Sequence, residues 1–447
     1  MKLDDKRITR PGALIVAYFG ATIALGTVLL SLPVAHRAGA EGVGWSDAFF
    51  TAASAVTVTG LVVVDTGASW SPFGELVLLA LIQIGGLGIM TMAGFVGLIV
   101  NRRLGVRSGL RAGAEIGLTH LGVLRTLIRD LVVFVVVAET VVAALLTVRF
   151  MIQGISPFRA FHLGVFHAVS AFNNAGFSIF RTGLEGYVGD WFVCLVIVAA
   201  FVLGGLGFPV VFELARSWRT PRRWSLHTKV TLAVTGLLLA VGTAAIAVIE
   251  WTNPATMGGL PADERVLSAF FQSATTRTAG FNTLDLGAMR PASWLVFVPL
   301  MVIGASSAST GGGIKTSTIA VAVRSTLAEV RGDRHTTLFE RTIPIGLQRQ
   351  ALSLVMAALA TVGAATFALA VLQPSVPLGE LLFEAASAFG TVGVSTGVTT
   401  ELSGLGRAVV IVLMFIGRVG PITFGTAVLL RPEPKRFSYP NEELLVG

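Results

Sequence analysis

Hydrophobic positions in this chain collect in long blocks, with no sustained alternation against polar ones. Eight blocks, at residues 12–34, 74–100, 131–153, 191–215, 229–250, 293–323, 351–373 and 405–430, are long enough to cross a bilayer as helices, which takes about 20 apolar residues each. Between the first and second, third and fourth, fifth and sixth, and seventh and eighth lies a shorter apolar stretch that ends in small residues and glycine. Such a stretch cannot span, so it enters and returns on the same side. Half-helices are expected to open near Ser46 or Asp47, Ser156 and Pro157, Pro261 and Asp263, and Pro377, residue types that start helices. The pattern predicts an all-α integral membrane protein of eight spanning helices and four re-entrant half-helices. The first block follows Lys6, Arg7 and Arg10 as a secretory signal would, but its apolar run is too long and further spans follow.

Internal repetition sharpens this picture. A phenylalanine stands ten residues before a glycine in each short stretch: Phe50 and Gly60, Phe166 and Gly176, Phe270 and Gly280, Phe383 and Gly393. A bulky apolar residue follows each glycine. The chain divides accordingly into four repeats of one span, one re-entrant loop and a second span: residues 1–100, 101–215, 216–324 and 325–447, the last with a C-terminal tail. Each returns the chain to the side it left, so all four share one orientation, unlike the inverted repeats of many secondary transporters. A pseudo-fourfold ring around one pore follows.

A chain that enters as a half-helix and leaves as an extended strand exposes backbone carbonyls, tolerated in a membrane only where they line a cavity. Glycine at the turn permits positive φ and close approach to an axis, and a ring of carbonyls can replace an ion's hydration shell. Each half-helix aims its negative C-terminal end at the same place. The candidate ion-binding residues are Thr57, Val58, Thr59 and Gly60; Asn173, Asn174, Ala175 and Gly176; Arg277, Thr278, Ala279 and Gly280; and Gly390, Thr391, Val392 and Gly393. Thr391-Val392-Gly393 spells the first three letters of the potassium-channel filter TVGYG. The layers around the glycines differ, so strict fourfold coordination is expected at the glycine layer alone.

The sixth block is interrupted by Gly304, Ala305, Ser306, Ser307, Ala308, Ser309, Thr310, Gly311, Gly312, Gly313, Ile314 and Lys315. Such a run should break the helix beneath the turns. It does not match G-x-x-x-x-G-K-[ST], and no soluble strand precedes it. Arg418 lies near the middle of the last span, where a charge is costly unless it meets water or a partner. Glu139 is one candidate partner; a place beside the pore is the other reading. The runs Gly85-Gly86-Leu87-Gly88 and Gly204-Gly205-Leu206-Gly207 read as close helix packing. Asp65 and Asp285 follow their glycines by five residues, placed either to concentrate cations at the outer mouth or to cap loops and pair with Arg181.

Charge fixes orientation and excludes other classes. Of 33 Lys and Arg, 23 lie in the termini and in connectors 101–130, 216–229 and 324–349. The positive-inside rule then puts both termini in the cytoplasm and the half-helices at the outer face of the cytoplasmic membrane. The net charge of +8 is met by membrane lipid and calls for no nucleic acid. The lone Cys194 gives neither disulfide nor thiolate metal site, and the six histidines, without ligand spacing, read as loop and interface residues. Glu139 is the one acid expected inside a span, so no catalytic constellation is expected. No Rossmann fingerprint is present.

The repeated Phe-to-Gly pattern over nearly the whole chain resembles the Trk, Ktr and HKT superfamily of potassium transporters. The eight spans and the tail Tyr439-Pro440-Asn441-Glu442-Glu443 to Gly447 are most similar to the membrane subunit of the Ktr branch. The resemblance implies K+ as the ion at Gly60, Gly176, Gly280 and Gly393, since the sodium-preferring branch has serine at the first position. It implies that Gly304 to Lys315 form an intramembrane gate and that Arg418 tunes cation passage. It further implies a homodimer with one pore per protomer, regulated by a separate KtrA-like cytosolic ring of Rossmann-type domains that binds ATP, ADP or NAD. The basic connectors 101–130 and 324–349 are candidate docking surfaces or lipid contacts. A sodium- or proton-coupled symporter on the same scaffold is the alternative.

Overall fold

The computed structural model describes residues 11–39, 43–105 and 116–420. The basic N-terminus, the middle of the connector 101–130, the end of the eighth block and the tail from Tyr439 lie outside the described residues.

The fold is helical. The first quarter holds α1 (Pro11–Leu30), the short α2 (Trp45–Val56), the single turn α3 (Thr66–Ser69) and α4 (Pro72–Gly105). The second holds α5 (Ile116–Ile152), short α6 (Pro157–Phe172), α7 (Trp191–Leu206) and α8 (Phe208–Ser217); the third, α9 (Leu226–Glu250), short α10 (Ala262–Thr275), α11 (Pro291–Val302) and α12 (Thr316–Arg331). A hairpin of β1 (Thr337–Leu338) and β2 (Arg341–Thr342) leads to α13 (Ile345–Leu372), short α14 (Leu378–Gly390), the turn α15 (Val398–Glu401) and α16 (Gly404–Val419). Among the described residues, Ile128–Ile152, α9 and α13 are each long and apolar enough to cross a membrane, and α7 with α8 would make a fourth as one bent span.

The outward faces of these helices are apolar. Val133, Val136, Val137, Val141 and Val148 of α5 are exposed, as are Met356, Leu359, Phe367 and Val371 of α13. Water would not tolerate that surface, whereas lipid does. The four short helices are the core instead: Phe50, Phe166, Phe271 and Phe383 are fully buried. α2, α6 and α14 each pack between the long helices that flank them in sequence, α10 packs on α9, and α4 reaches α6, α7 reaches α10, α11 reaches α14 and α16 reaches α2. The last of these contacts closes a ring in chain order. Side chains fasten the joints: Arg407 on α16 pairs with Asp47 on α2 at 2.7 Å, and His162 on α6 meets the buried Glu75 on α4 at 2.5 Å.

Three details differ from the sequence reading. The fourth block is not continuous: Gly207, at φ +84°, separates α7 from α8, which are bent by 102°. Hydropathy is the same on both sides of such a bend, so composition cannot reveal it. Glu213 holds the turned-out α8 by accepting Ser225 N–H and Oγ–H at 2.7 Å each, and Thr228 Oγ1–H, at the start of α9. Second, α2 opens at Trp45 with Gly44 as its cap, and Asp47 accepts the Gly44 N–H at 2.9 Å; Ser46 is not the cap. Third, the fully buried phenylalanine of the third stretch is Phe271, nine residues before Gly280, while Phe270 is half-buried.

Candidate ion-permeation site

The four glycines meet. A methyl group on Gly60 would overlap the carbonyl oxygen of Ala175; on Gly176, it would crowd the carbonyl of Ala279; on Gly280, that of Val392; and on Gly393, that of Thr59. Each glycine therefore faces the carbonyl just before the next glycine, and the fourth returns to the first. No side chain fits in this ring.

The backbone explains the shape. All four glycines have positive φ, from +68° at Gly176 to +92° at Gly60. Two residues earlier, Val58, Asn174, Thr278 and Thr391 also adopt positive φ, between +51° and +69°. A left-handed non-glycine residue costs about 1–2 kcal/mol, and four at equivalent positions are not accidents of packing. Alternation of left-handed and extended residues turns successive carbonyls toward one side of the strand. The short helices end four residues before Gly60 and Gly176, five before Gly280 and three before Gly393, so their negative ends converge on the ring.

The first residue of each candidate quartet lies off this ring. Asn173 caps α6 and turns its amide outward, donating to Gln83 at 2.8 Å and Glu139 at 2.9 Å. The Arg277 guanidinium is buried and donates to the Gly304 carbonyl at 3.0 Å. Thr57 donates back to Ala53 at 2.7 Å, and Gly390 packs against the Met301 carbonyl. The side chains of Thr57, Asn173 and Arg277 are taken up by these contacts, and Gly390 has none to offer.

Outside the ring is a cavity of about 460 Å3 lined by all four glycines, Asp65, Arg181, Glu185, Asn282 and Asp285. Asp65 caps α3 by accepting Ala68 N–H at 2.7 Å, and Asp285 accepts Gly287 N–H at 2.9 Å. Both aspartates thus cap loops while lining this cavity, and no ion pair to Arg181 is found among the described residues. The sequence reading did not single out Glu185. Its carboxyl is pushed above the usual carboxylate range by burial and then by nearby Asp285, against a hydrogen bond from Asn282 at 3.0 Å.

Beneath the ring, residues 303–315 form the break between α11 and α12. Gly312 N–H donates to Thr391 Oγ1 at 3.1 Å, and a methyl group on Gly311 would overlap Thr278 Oγ1. Thr310 contacts the Asn174 side chain at 2.8 Å. The run from Gly304 to Lys315 therefore lies directly against three of the four left-handed residues. Lys315 Nζ folds back onto the Gly311 carbonyl at 2.6 Å. Arg418 is 3 % exposed and donates to the carbonyls of Thr310 and, at 2.8 Å, Gly85. It does not pair with Glu139, whose partners are Gln83 and Asn173. Methyl groups on Gly85, Gly204 and Gly417 would overlap the carbonyls of Val56, Phe172 and Phe389, so the glycines of the long helices admit the ends of the short ones.

The family model for TrkH, described as cation transport protein, matches residues 13–439. The chain belongs to this family. It is 40% identical over 442 residues to Ktr system potassium uptake protein B of Bacillus subtilis (strain 168), covering 99% of this chain and 97% of the relative. It is 39% identical to the protein of the same name from Vibrio alginolyticus, covering 100% of this chain and 97% of the relative. It is 34% identical to potassium/sodium uptake protein NtpJ of Enterococcus hirae, over the whole of both chains. The crystal structure of the potassium transporter TrkH from Vibrio parahaemolyticus shares the fold with TM-score 0.75 at 18% identity, covering 96% of this chain and 86% of that one. Family membership accounts for the apolar outer surface. Buried acids are more numerous than the sequence suggested: Glu75, Glu250 and Glu384 are buried besides the half-buried Glu139, and His167 is a core residue rather than a loop one.

Proposed function

We propose that this chain is the conducting membrane subunit of a potassium uptake system, with four repeats of span, pore loop and span in a pseudo-fourfold ring. On this reading eight spans cross the cytoplasmic membrane and both termini face the cytoplasm. The observation that carries the proposal is the closed ring of Gly60, Gly176, Gly280 and Gly393, each against the carbonyl before the next. A cation shed of water needs several oxygens converging from all sides, and this backbone supplies them where no side chain can intrude.

Acidic groups at the outer cavity concentrate cations, carbonyls at the ring exchange for hydration water, and the converging helix ends disfavour anions. A negative interior drives each monovalent ion inward by about 2.3 kcal/mol per 100 mV, so no chemistry on the chain is required. Lower down, the loop from Gly304 to Lys315 with Arg418 obstructs the path and acts as the gate. The name Ktr system of two relatives supports a second component; the reading assigns it as a KtrA-like ring binding ATP, ADP or NAD, docked on connectors 101–130 and 324–349 of a homodimer. The potassium/sodium relative favours a second reading, in which sodium also passes or couples.

Purified protein in liposomes with an inward-negative potential should take up rubidium, and potassium should compete far better than sodium. Equal competition by both ions would contradict potassium selectivity and leave a cation pore; uptake that stops without sodium would establish the coupled reading.

A further inference from the structure

In each short helix the fully buried phenylalanine is followed by a polar residue: Thr51 after Phe50, His167 after Phe166, Gln272 after Phe271 and Glu384 after Phe383. All four are at most 1% exposed. A polar group in that position is expensive unless it is bonded, and three of the four are bonded to the same thing, the strand that leaves the glycine of their own repeat.

Glu384 accepts Ser395 Oγ–H at 2.8 Å and Thr399 Oγ1–H, two and six residues past Gly393. His167 donates from Nδ1 to the Leu163 carbonyl at 2.8 Å, which leaves Nε2 as the acceptor for Ser178 Oγ–H at 2.9 Å, two residues past Gly176. Gln272, with its amide oxygen facing the loop, accepts the N–H groups of Thr283 and Leu284 at 3.1 Å each, just past Gly280. Thr51 Oγ1 has no hydrogen-bond partner among the described residues, and Val62, two residues past Gly60, carries no side-chain donor.

We propose that His167, Gln272 and Glu384 are positioning residues that brace the strand beyond each glycine against its own short helix, with Glu384 contributing most to ion discrimination. The proposal rests on the reading of the glycine ring as the selective element. The three braces use different chemistry at one structural position, which a shared role explains and helix packing alone does not: packing would be served by an apolar residue. Ions that differ by tenths of an ångström in radius are distinguished only if the ring holds its dimensions. A strand tied at one end by its helix and at the other by a buried polar side chain holds them; the first repeat has no brace beyond its glycine, and its helix holds the glycine itself, Ser54 Oγ accepting the Gly60 N–H at 3.0 Å.

The test is rubidium uptake into proteoliposomes with graded sodium competition, for the wild type and for Glu384→Ala, Glu384→Gln, His167→Ala and Thr51→Val. Glu384→Ala should lower discrimination about tenfold, and Glu384→Gln, which keeps an acceptor oxygen, by no more than about threefold. Thr51→Val should leave it within about twofold. A merely structural role would lower the yield of folded protein and total uptake together without moving the ratio. An unchanged ratio in Glu384→Ala, or an equal fall in Thr51→Val, overturns the proposal. Should Glu384→Ala fail to fold, His167→Ala reads the same ratio, with a fall of about threefold in support and no fall against. A wild type that does not discriminate removes the selective ring itself, an outcome distinct from a discriminating wild type with insensitive variants.

Discussion

At the level of the four glycines the repeats are interchangeable. Each supplies a positive-φ glycine, a left-handed residue two positions earlier and a carbonyl aimed at its neighbour. One turn deeper they are not. The long helix after the ring runs unbroken in α4, turns by 102° at Gly207 in the second repeat, unwinds over residues 303–315 in the third and carries Arg418 in the fourth. Under the proposed function the contrast follows from what each level would do. Coordinating a spherical ion rewards equal contributions from all sides, whereas opening and closing a path requires one part to move against others that stay still. On the proposed function, symmetry belongs to selection and asymmetry to control.

The contrast can be broken by substitution. The largest effect is expected for Gly60→Ser, where the side chain must displace the Ala175 carbonyl: rubidium over sodium discrimination should fall about tenfold, equivalent to ~1.4 kcal/mol, in competitive uptake. The same change at Gly176, Gly280 or Gly393 should act comparably, and a glycine that tolerates serine would show the ring to be unequal. Next is Arg418→Gln. Removing a charge held by the Thr310 and Gly85 carbonyls should raise flux about threefold, or ~0.7 kcal/mol, with discrimination unchanged. A loss of discrimination would mean that the arginine acts on the ring. A smaller rise, about twofold, is expected for Lys315→Met, which unties the loop from the Gly311 carbonyl. The smallest effect concerns pH. Because the Glu185 carboxyl titrates above the usual range, it is charged in alkali and becomes neutral earlier than an ordinary exposed carboxylate as pH falls. Uptake at low potassium should therefore decline modestly on mild acidification, and Glu185→Gln should start lower and lack that step; an identical pH profile would remove Glu185 from ion recruitment.

Much of this was legible in the residues. Apolar blocks and the Phe-to-Gly spacing announced a helical membrane protein and drew attention to the four glycines that the fold brings together. Backbone geometry was less readable. The left-handed residues are Val, Asn, Thr and Thr, types with no common preference for that conformation, so only the ring reveals them as a layer. Two adjacent phenylalanines, Phe270 and Phe271, offered two registers, and burial chose the second. Gly207 sits in a run that also serves close packing, and sequence carries no mark of which role dominates. The partners of Arg418 are carbonyl oxygens, which every residue has, so the residues alone could not decide between an acidic partner such as Glu139 and a place beside the pore.

The most direct test of the central claim is crystallographic: crystals of the protein exchanged into rubidium or thallium, with anomalous scattering used to locate the ions. The account predicts a peak on the axis among Gly60, Gly176, Gly280 and Gly393, lost when sodium replaces the heavier ion. Heavy-ion peaks confined to the outer cavity, with none at the glycine ring, would contradict it.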